Sequence, residues 1–348
     1  MISDFEIRED DRKQFAEEFL VRLPARIIDS HVHVWTHACV AIPKEEYGKY
    51  KQYKPWTDFD YMKEFTIEDY LFCAKSAFPP KTVIPIVFGS PFPQIDRTMV
   101  NEYVMEHAQK YGLGFYYIPG QYEDMEETEK KYNLLGRKGF LGLKPYPDIP
   151  VVQGRECGIY DMLNQSALEY AQQNKLFILL HIPRKGRLHD ADNRRELDEC
   201  TRTYPDAKFI LAHVGRAFCY KDIDGLIDFL VGRENVWFDT ALINSGPVLE
   251  YLLHRVDSTR ILFGSDAPLA FCRGKDIEIN NKHYYVSEHP VPWGLGPMGG
   301  SIQEFTFYIY EEIRELLRAS KAVYGQNETS HLENIFYKNA GKMLKITN

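Results

Sequence analysis

The chain has 348 residues, of which 44% are hydrophobic and 26% charged, a balance that supplies a large core and excludes disordered and fibrous classes. Asp and Glu number 50 against 42 Lys and Arg, a net charge of -8, which disfavours nucleic acid and anionic membrane surfaces and leaves a small-molecule partner as the expectation. No apolar run reaches the ~18 residues of a membrane span, and the polar, acidic start MISDFEIREDDRKQ lacks the basic-then-apolar order of a secretion signal, so the sequence predicts a cytoplasmic protein.

In chain order, RIIDS at 26–30 reads as a first strand and is followed by a long connection at 36–65, rich in Tyr, Trp, Lys and Pro. An amphipathic segment at 66–77 then precedes a strand at 82–88, and 96–111 precedes one at 113–118. The pattern repeats with 123–137 before 139–144, 159–174 before 208–213 by way of strand 176–181 and helix 190–203, 222–233 after that, then strand 235–239, helix 245–256 and strand 260–265. The runs at 176–181, 208–213 and 260–265 are almost continuously apolar, as parallel strands buried on both faces require.

Strict alternation of strand and helix predicts a parallel sheet. A doubly wound open sheet would also alternate, but eight units with no G-x-G-x-x-G after the first strand favour a closed (β/α)8 TIM barrel. Barrels routinely occupy 250 residues or more as one unit, so residues 1–348 are read as a single domain. The connections 36–65 and 267–301, the latter carrying HYYVSEHPVPWGLGPMGG, are inserted βα loops on the catalytic face and are expected to form a lid over the site. Two helices near 302–323 and 329–345 should pack outside the barrel, and homo-oligomerisation is open.

Alternate residues of a strand point to one side, so His31 and His33 at the end of the first strand aim both imidazoles at one place. Imidazole suits zinc, iron and similar ions. One H-x-H is weak evidence, but His181, His213 and Asp266 close the fifth, sixth and eighth predicted strands, and in a barrel those ends meet. The six cysteines, at 39, 73, 157, 200, 219 and 272, show no zinc-ribbon or redox spacing. Sequons at Asn164 and Asn327 are read as chance.

The chain resembles the amidohydrolase superfamily, in its amidohydrolase-related (type 2) branch. The resemblance lies in DSHVHVW at 29–35, GFLGLKPYP at 139–147, LLHIP at 179–183, LAHVGR at 211–216, FGSDAP at 263–268 and NIFYKNAGKML at 334–344. It implies one divalent metal ion, usually zinc, held by His31, His33, His181 and Asp266, with His213 beside it as a catalytic group. Asp266 would both ligate and shuttle a proton. It also implies that Lys144, at the end of the fourth strand, has one of three roles: substrate-anion contact, a structural role, or a carbamate bridging a second ion.

Arg216, three residues after His213, and Arg184 and Lys185, just after His181, suggest a carboxylate-bearing substrate, with Arg216 the favoured contact. Three functions stand open. The first is hydrolysis of a C–N or C–O bond in an amide, lactone or ester by metal-activated water, with His213 and Asp266 handling protons. The second is non-oxidative decarboxylation or hydration of an unsaturated or aromatic acid. The third, least favoured because every expected ligand position is filled, is a non-catalytic metal-binding barrel.

Overall fold

The computed structural model describes residues 5–41, 64–92, 94–288 and 305–346, and within them all eight expected strands form. They are β1 (Arg26–Val34), β2 (Thr82–Gly89), β3 (Gly114–Tyr117), β4 (Phe140–Leu143), β5 (Phe177–Leu180), β6 (Lys208–Leu211), β7 (Val236–Asp239) and β8 (Ile261–Leu262). Each pairs in parallel with the next in sequence, with Ile28 opposite Ile84, Leu180 opposite Leu211 and Asp239 opposite Leu262. Backbone bonds from Ser30 N to Phe263 O (2.9 Å), Asp266 N to His31 O (2.8 Å) and His33 N to Ala267 O (3.0 Å) bring the last strand against the first. The result is a TIM barrel with one shared C-terminal rim, and residues that close separate strands meet there.

Strand β1 runs to Val34 rather than stopping near 30. Its polar SHVH segment is buried or nearly so; the ladder with β2 shifts register at Ser30 and His31 and resumes at Val32, so polar side chains toward the barrel interior bulge the strand without ending it. At Gly142 of β4, φ is 150° and a Cβ would stand 1.8 Å from Phe177 O. Only glycine lets β5 approach so closely beside the position that presents Lys144.

The expected helix starts coincide with capping residues. Thr66 accepts from Asp69 N ahead of the helix Ile67–Ala77, Asp96 from Met99 N ahead of Arg97–Tyr111, and Asp190 from Asn193 N ahead of Ala191–Thr203, each satisfying an otherwise orphaned helical donor. The segment 159–174 is two helices, Ile159–Met162 and Gln165–Gln173, because Asn164 caps the second by accepting from Ala167 N. The expected helix at 222–233 contracts to Asp228–Val231, preceded by Gly225 with φ 68°.

Of the two expected lid loops, residues 42–63 of the first (36–65) and 289–301 of the second (267–301) lie outside the described residues. The described part of the second loop holds an antiparallel hairpin, β9 (Gly274–Ile279) and β10 (Lys282–Ser287). Its turn residues, Asn280 (φ 53°) and Asn281 (φ 57°), both adopt the left-handed conformation that suits a two-residue hairpin.

The C-terminal helix Tyr308–Tyr324 lies along the helix Gly246–Arg255. The segment 334–344 closes on β8: Phe263 N donates to Ile335 O (3.0 Å) and the Asn339 amide to Ser258 O and Ile261 O (2.7 and 2.8 Å). Among the described residues no helix is long and apolar enough to cross a membrane.

Glu312 fastens this outer helix to the rim. Its carboxyl, fully buried, accepts from Thr240 Oγ1 at 2.9 Å and Leu242 N at 3.0 Å. Burial raises its pKa well above the ordinary carboxyl value despite those bonds. The folded protein therefore holds a proton there that the unfolded chain releases, so this contribution to stability is complete below pH ~4.5 and declines as pH rises above it. Glu312→Gln should reduce stability by about 1 kcal/mol at pH 5, through the lost acceptor. The melting-temperature gap to wild type should narrow steadily between pH 5 and pH 9, whereas a constant gap would contradict a protonated Glu312.

Candidate active site

The rim brings the expected residues together. A cavity of about 180 Å³ is lined by His31, His33, His181, His213 and Asp266, with Trp35, Phe92 and Tyr146 supplying aromatic wall and Ser90 and Asp148 polar edges. Two sets of donor atoms lie within 4.8 Å of one another: His31, His33 and Asp266, and His31, His213 and Asp239. His181 belongs to neither set, but its ring centroid is 5.4 Å from that of His213.

Three imidazoles have one ring nitrogen tied to the protein, which turns the other toward the cavity. His31 Nδ1 is 2.8 Å from Asp239 Oδ2, and its Nε2 lies 3.2 Å from Asp266 Oδ1. His33 Nδ1 lies 3.3 Å from Gly89 O, and its Nε2 is 2.9 Å from Asp266 Oδ1. His213 Nδ1 is 2.9 Å from Ala241 O. A carboxylate or carbonyl behind each ring fixes orientation and tautomer, the arrangement that metal-binding histidines use.

Backbone geometry sets the two remaining directions. His213, Val214, Gly215 and Arg216 all have positive φ, from 52° to 71°, and so form one left-handed turn directly after β6. Non-glycine residues adopt this conformation at a cost of about 1–3 kcal/mol each. Here the turn is fixed by His213 N donating to Asp239 Oδ1 at 2.7 Å. Asp266 also has positive φ, 61°, and Ser265 beside it is held by Asp29 Oδ1, which accepts from Ser265 N at 2.8 Å.

Charge is distributed unevenly over this cluster. Burial lowers the pKa of His33 and His213, the latter to about 4, and, with help from Arg216, holds that of His181 well below the ordinary imidazole value. Burial would likewise lower His31, but Asp239 outweighs it and raises that ring. Burial also pushes Asp266 and Asp239 upward, yet neighbouring imidazoles prevail and hold both below the ordinary range, Asp266 far below. Two ionised carboxylates among mostly neutral imidazoles form a donor set of the type that binds a divalent cation. The buried His181 Nδ1, with no hydrogen-bond partner among the described residues, fits the same reading.

Lys144 is fully buried, and its Nζ has no hydrogen-bond partner among the described residues. It sits 4.7 Å from the Tyr146 ring centroid and 5.4 Å from that of Phe88, and burial lowers its pKa to about 8. Arg216 directs Nη1 to Ile182 O (2.9 Å) and Pro183 O (2.8 Å), bracing the loop after His181, and is absent from the residues described around the cavity. Arg184 is held by Glu196 and Asn193, so its charge is matched within the fold.

Asp239 is the main site residue that the sequence reading missed. The signal was present, since it ends the expected strand 235–239 as the histidines end theirs. Asp29, inside the DSHVH motif, was missed as a brace. Its carboxyl accepts from Tyr70 Oη at 2.7 Å, and burial raises its pKa to about 6.

A family model described as Amidohydrolase matches residues 28–273. No curated protein matches. Among solved structures, an amidohydrolase from Burkholderia multivorans with bound zinc is similar at 11% identity and a TM-score of 0.56, over 92% of this chain and 99% of that one. A probable 2-pyrone-4,6-dicarboxylic acid hydrolase from Acinetobacter baumannii aligns over 92% and 99% at 14% identity, TM-score 0.52. A 4-oxalomesaconate hydratase from Rhodopseudomonas palustris aligns over 92% and 95% at 16% identity, TM-score 0.53. At these identities the structural likeness establishes the barrel fold.

Proposed function

The chain belongs to the amidohydrolase family, and from that membership we propose a metal-dependent hydrolase that cleaves a C–N or C–O bond of a small amide, lactone or ester. The observation that carries the proposal is the convergence of His31, His33, His213 and Asp266 on one rim cavity. His31, His33, His181 and Asp266 would hold one divalent ion, zinc in the first instance. When bound, such an ion polarises the scissile carbonyl and makes water a stronger acid.

The remaining steps fall to the protein. His213, its Nδ1 engaged by Ala241 O, presents Nε2 to the attacking water and orients it by accepting a hydrogen bond. Asp266 takes the proton and returns it to the departing nitrogen or oxygen, so that water is added across the broken bond. Trp35, Phe92 and Tyr146 exclude solvent around a planar substrate. Of the two cations expected to meet a substrate carboxylate, Lys144 is retained, its Nζ having no hydrogen-bond partner among the described residues, whereas Arg216 is turned to Ile182 O and Pro183 O and braces the loop after His181 instead. The 4-oxalomesaconate hydratase among the similar structures favours one second reading, hydration or decarboxylation of an unsaturated or aromatic acid on the same residues.

Zinc-loaded protein is to be offered aryl lactones, amides and carboxylated aromatic acids, with acid release and carbon dioxide followed in parallel. Acid release from a lactone or amide is expected. Carbon dioxide release or loss of a substrate double bond, with lactones and amides inert, replaces hydrolysis with the second reading. Mass spectrometry of the intact protein tests Lys144: an added carbon dioxide on that residue, together with two ions per chain, would replace the single-metal centre.

A further inference from the structure

A second cleft, of about 430 Å³, shares none of its described lining with the catalytic cavity. Three segments distant in sequence form it: the loop after β5 with Lys185, Arg187 and His189, the turn at Lys221 and Asp222, and the tip of the hairpin with Lys282 and His283. His283 also belongs to the wall between the two cavities. Its ring stacks on Phe218 at 4.6 Å and 20°, and Phe218 stacks in turn on His213 at 6.1 Å and 30°.

Four full positive charges line this cleft against the single carboxylate of Asp222, in a chain whose net charge is -8. Among the described residues the Asp222 carboxylate makes only long ion-pair contacts, 3.4 Å to Arg187 Nη1 and 3.4 Å to His189 Nε2. Lys185, Lys221 and Lys282 make no ion pair among the described residues, whereas Arg184 next door is closely paired with Glu196. Like charges gathered by a rigid hairpin turn repel one another unless an anion sits between them.

We infer that this cleft binds a small phosphate-bearing molecule. Phosphate is favoured over carboxylate because the free cations are ammonium groups, compact point charges that suit a tetrahedral dianion. The one guanidinium, the fork that recognises a planar carboxylate, already donates to Arg216 O at 3.2 Å and Asp222. The cleft exceeds the volume of a bare phosphate, and Asn281, Tyr284 and His283 offer polar and aromatic surface to an attached organic group.

The test is calorimetric titration of the full chain at low ionic strength with ribose 5-phosphate, inorganic phosphate and succinate, repeated on the Lys221→Glu/Lys282→Glu variant. Both lysines are exposed, so the variant should melt as wild type does. Saturable binding of the sugar phosphate with Kd below about 1 mM, weakened at least tenfold in the variant, is the expected result. Equal affinity for inorganic phosphate would identify the free anion as sufficient and still support the site. No saturable heat, equal binding to both proteins, or succinate bound as tightly as the sugar phosphate would overturn the inference. The readout is binding without turnover, so it stands apart from the fate of the hydrolase reading.

Discussion

Asp266→Ala should leave the barrel folded and remove nearly all turnover, lowering kcat/KM by about one hundred- to ten-thousandfold on whichever substrate the wild type accepts. The expectation rests on the position of Asp266 rather than on its motif. Its Oδ1 is within 3.2 Å of both His31 Nε2 and His33 Nε2, so on the proposed reading one substitution would remove a metal ligand and a proton carrier together. Bound zinc, measured by atomic emission on dialysed protein, should fall in parallel, while the circular dichroism spectrum should not change. Asp239→Asn separates ligation from orientation. It leaves the side-chain shape but turns a charged acceptor behind His31 into a neutral one, and in comparable carboxylate–histidine pairs such a loss weakens metal binding about 10–100-fold. Wild-type zinc content and turnover in Asp266→Ala would remove that residue from the chemistry altogether.

The strand ends were legible because burial on both faces leaves an unbroken apolar run, and the polar residue that ends the run is the one the rim presents. That rule located His181, His213 and Asp266, and it applies equally to Asp239, whose strand was expected at its observed end. What the sequence hides is pairing across long separations. Arg184 reads as a loop cation until Glu196, twelve positions on, is seen to neutralise it. The hairpin of 274–287 was also readable in part, since Asn280–Asn281 between alternating residues is a turn signal, but a long loop rich in Pro and Gly conceals a short ordered segment. The left-handed turn at 213–216 has no sequence signal beyond Gly215, because it is imposed by Asp239 from the neighbouring strand.

The second large effect lies far from the chemistry. Asp11, fully buried in the helix Glu9–Gln14, receives Arg273 through two bonds, Nη1 to Oδ1 at 3.0 Å and Nη2 to Oδ2 at 2.7 Å. The same guanidinium donates to Glu6 O and Phe305 O at 2.8 Å each and lies 4.5 Å above the Phe307 ring, while Arg8 N donates to Asp11 Oδ2 at 2.8 Å. One ion pair thus ties the N-terminal segment, the loop after β8 and the start of the outer helix into a single unit. Removing one member of a buried pair strands the other's charge, so Asp11→Ala should lower stability by about 3–5 kcal/mol, read from urea unfolding. The companion measurement is the double variant Asp11→Ala/Arg273→Met. With no charge left to strand, it should be more stable than Asp11→Ala alone, as buried pairs replaced by apolar residues generally are. A single variant within about 1 kcal/mol of wild type, or a double variant weaker than the single, would show that solvent reaches the arginine and that the segments are held by packing of Phe5 on Phe307 rather than by charge.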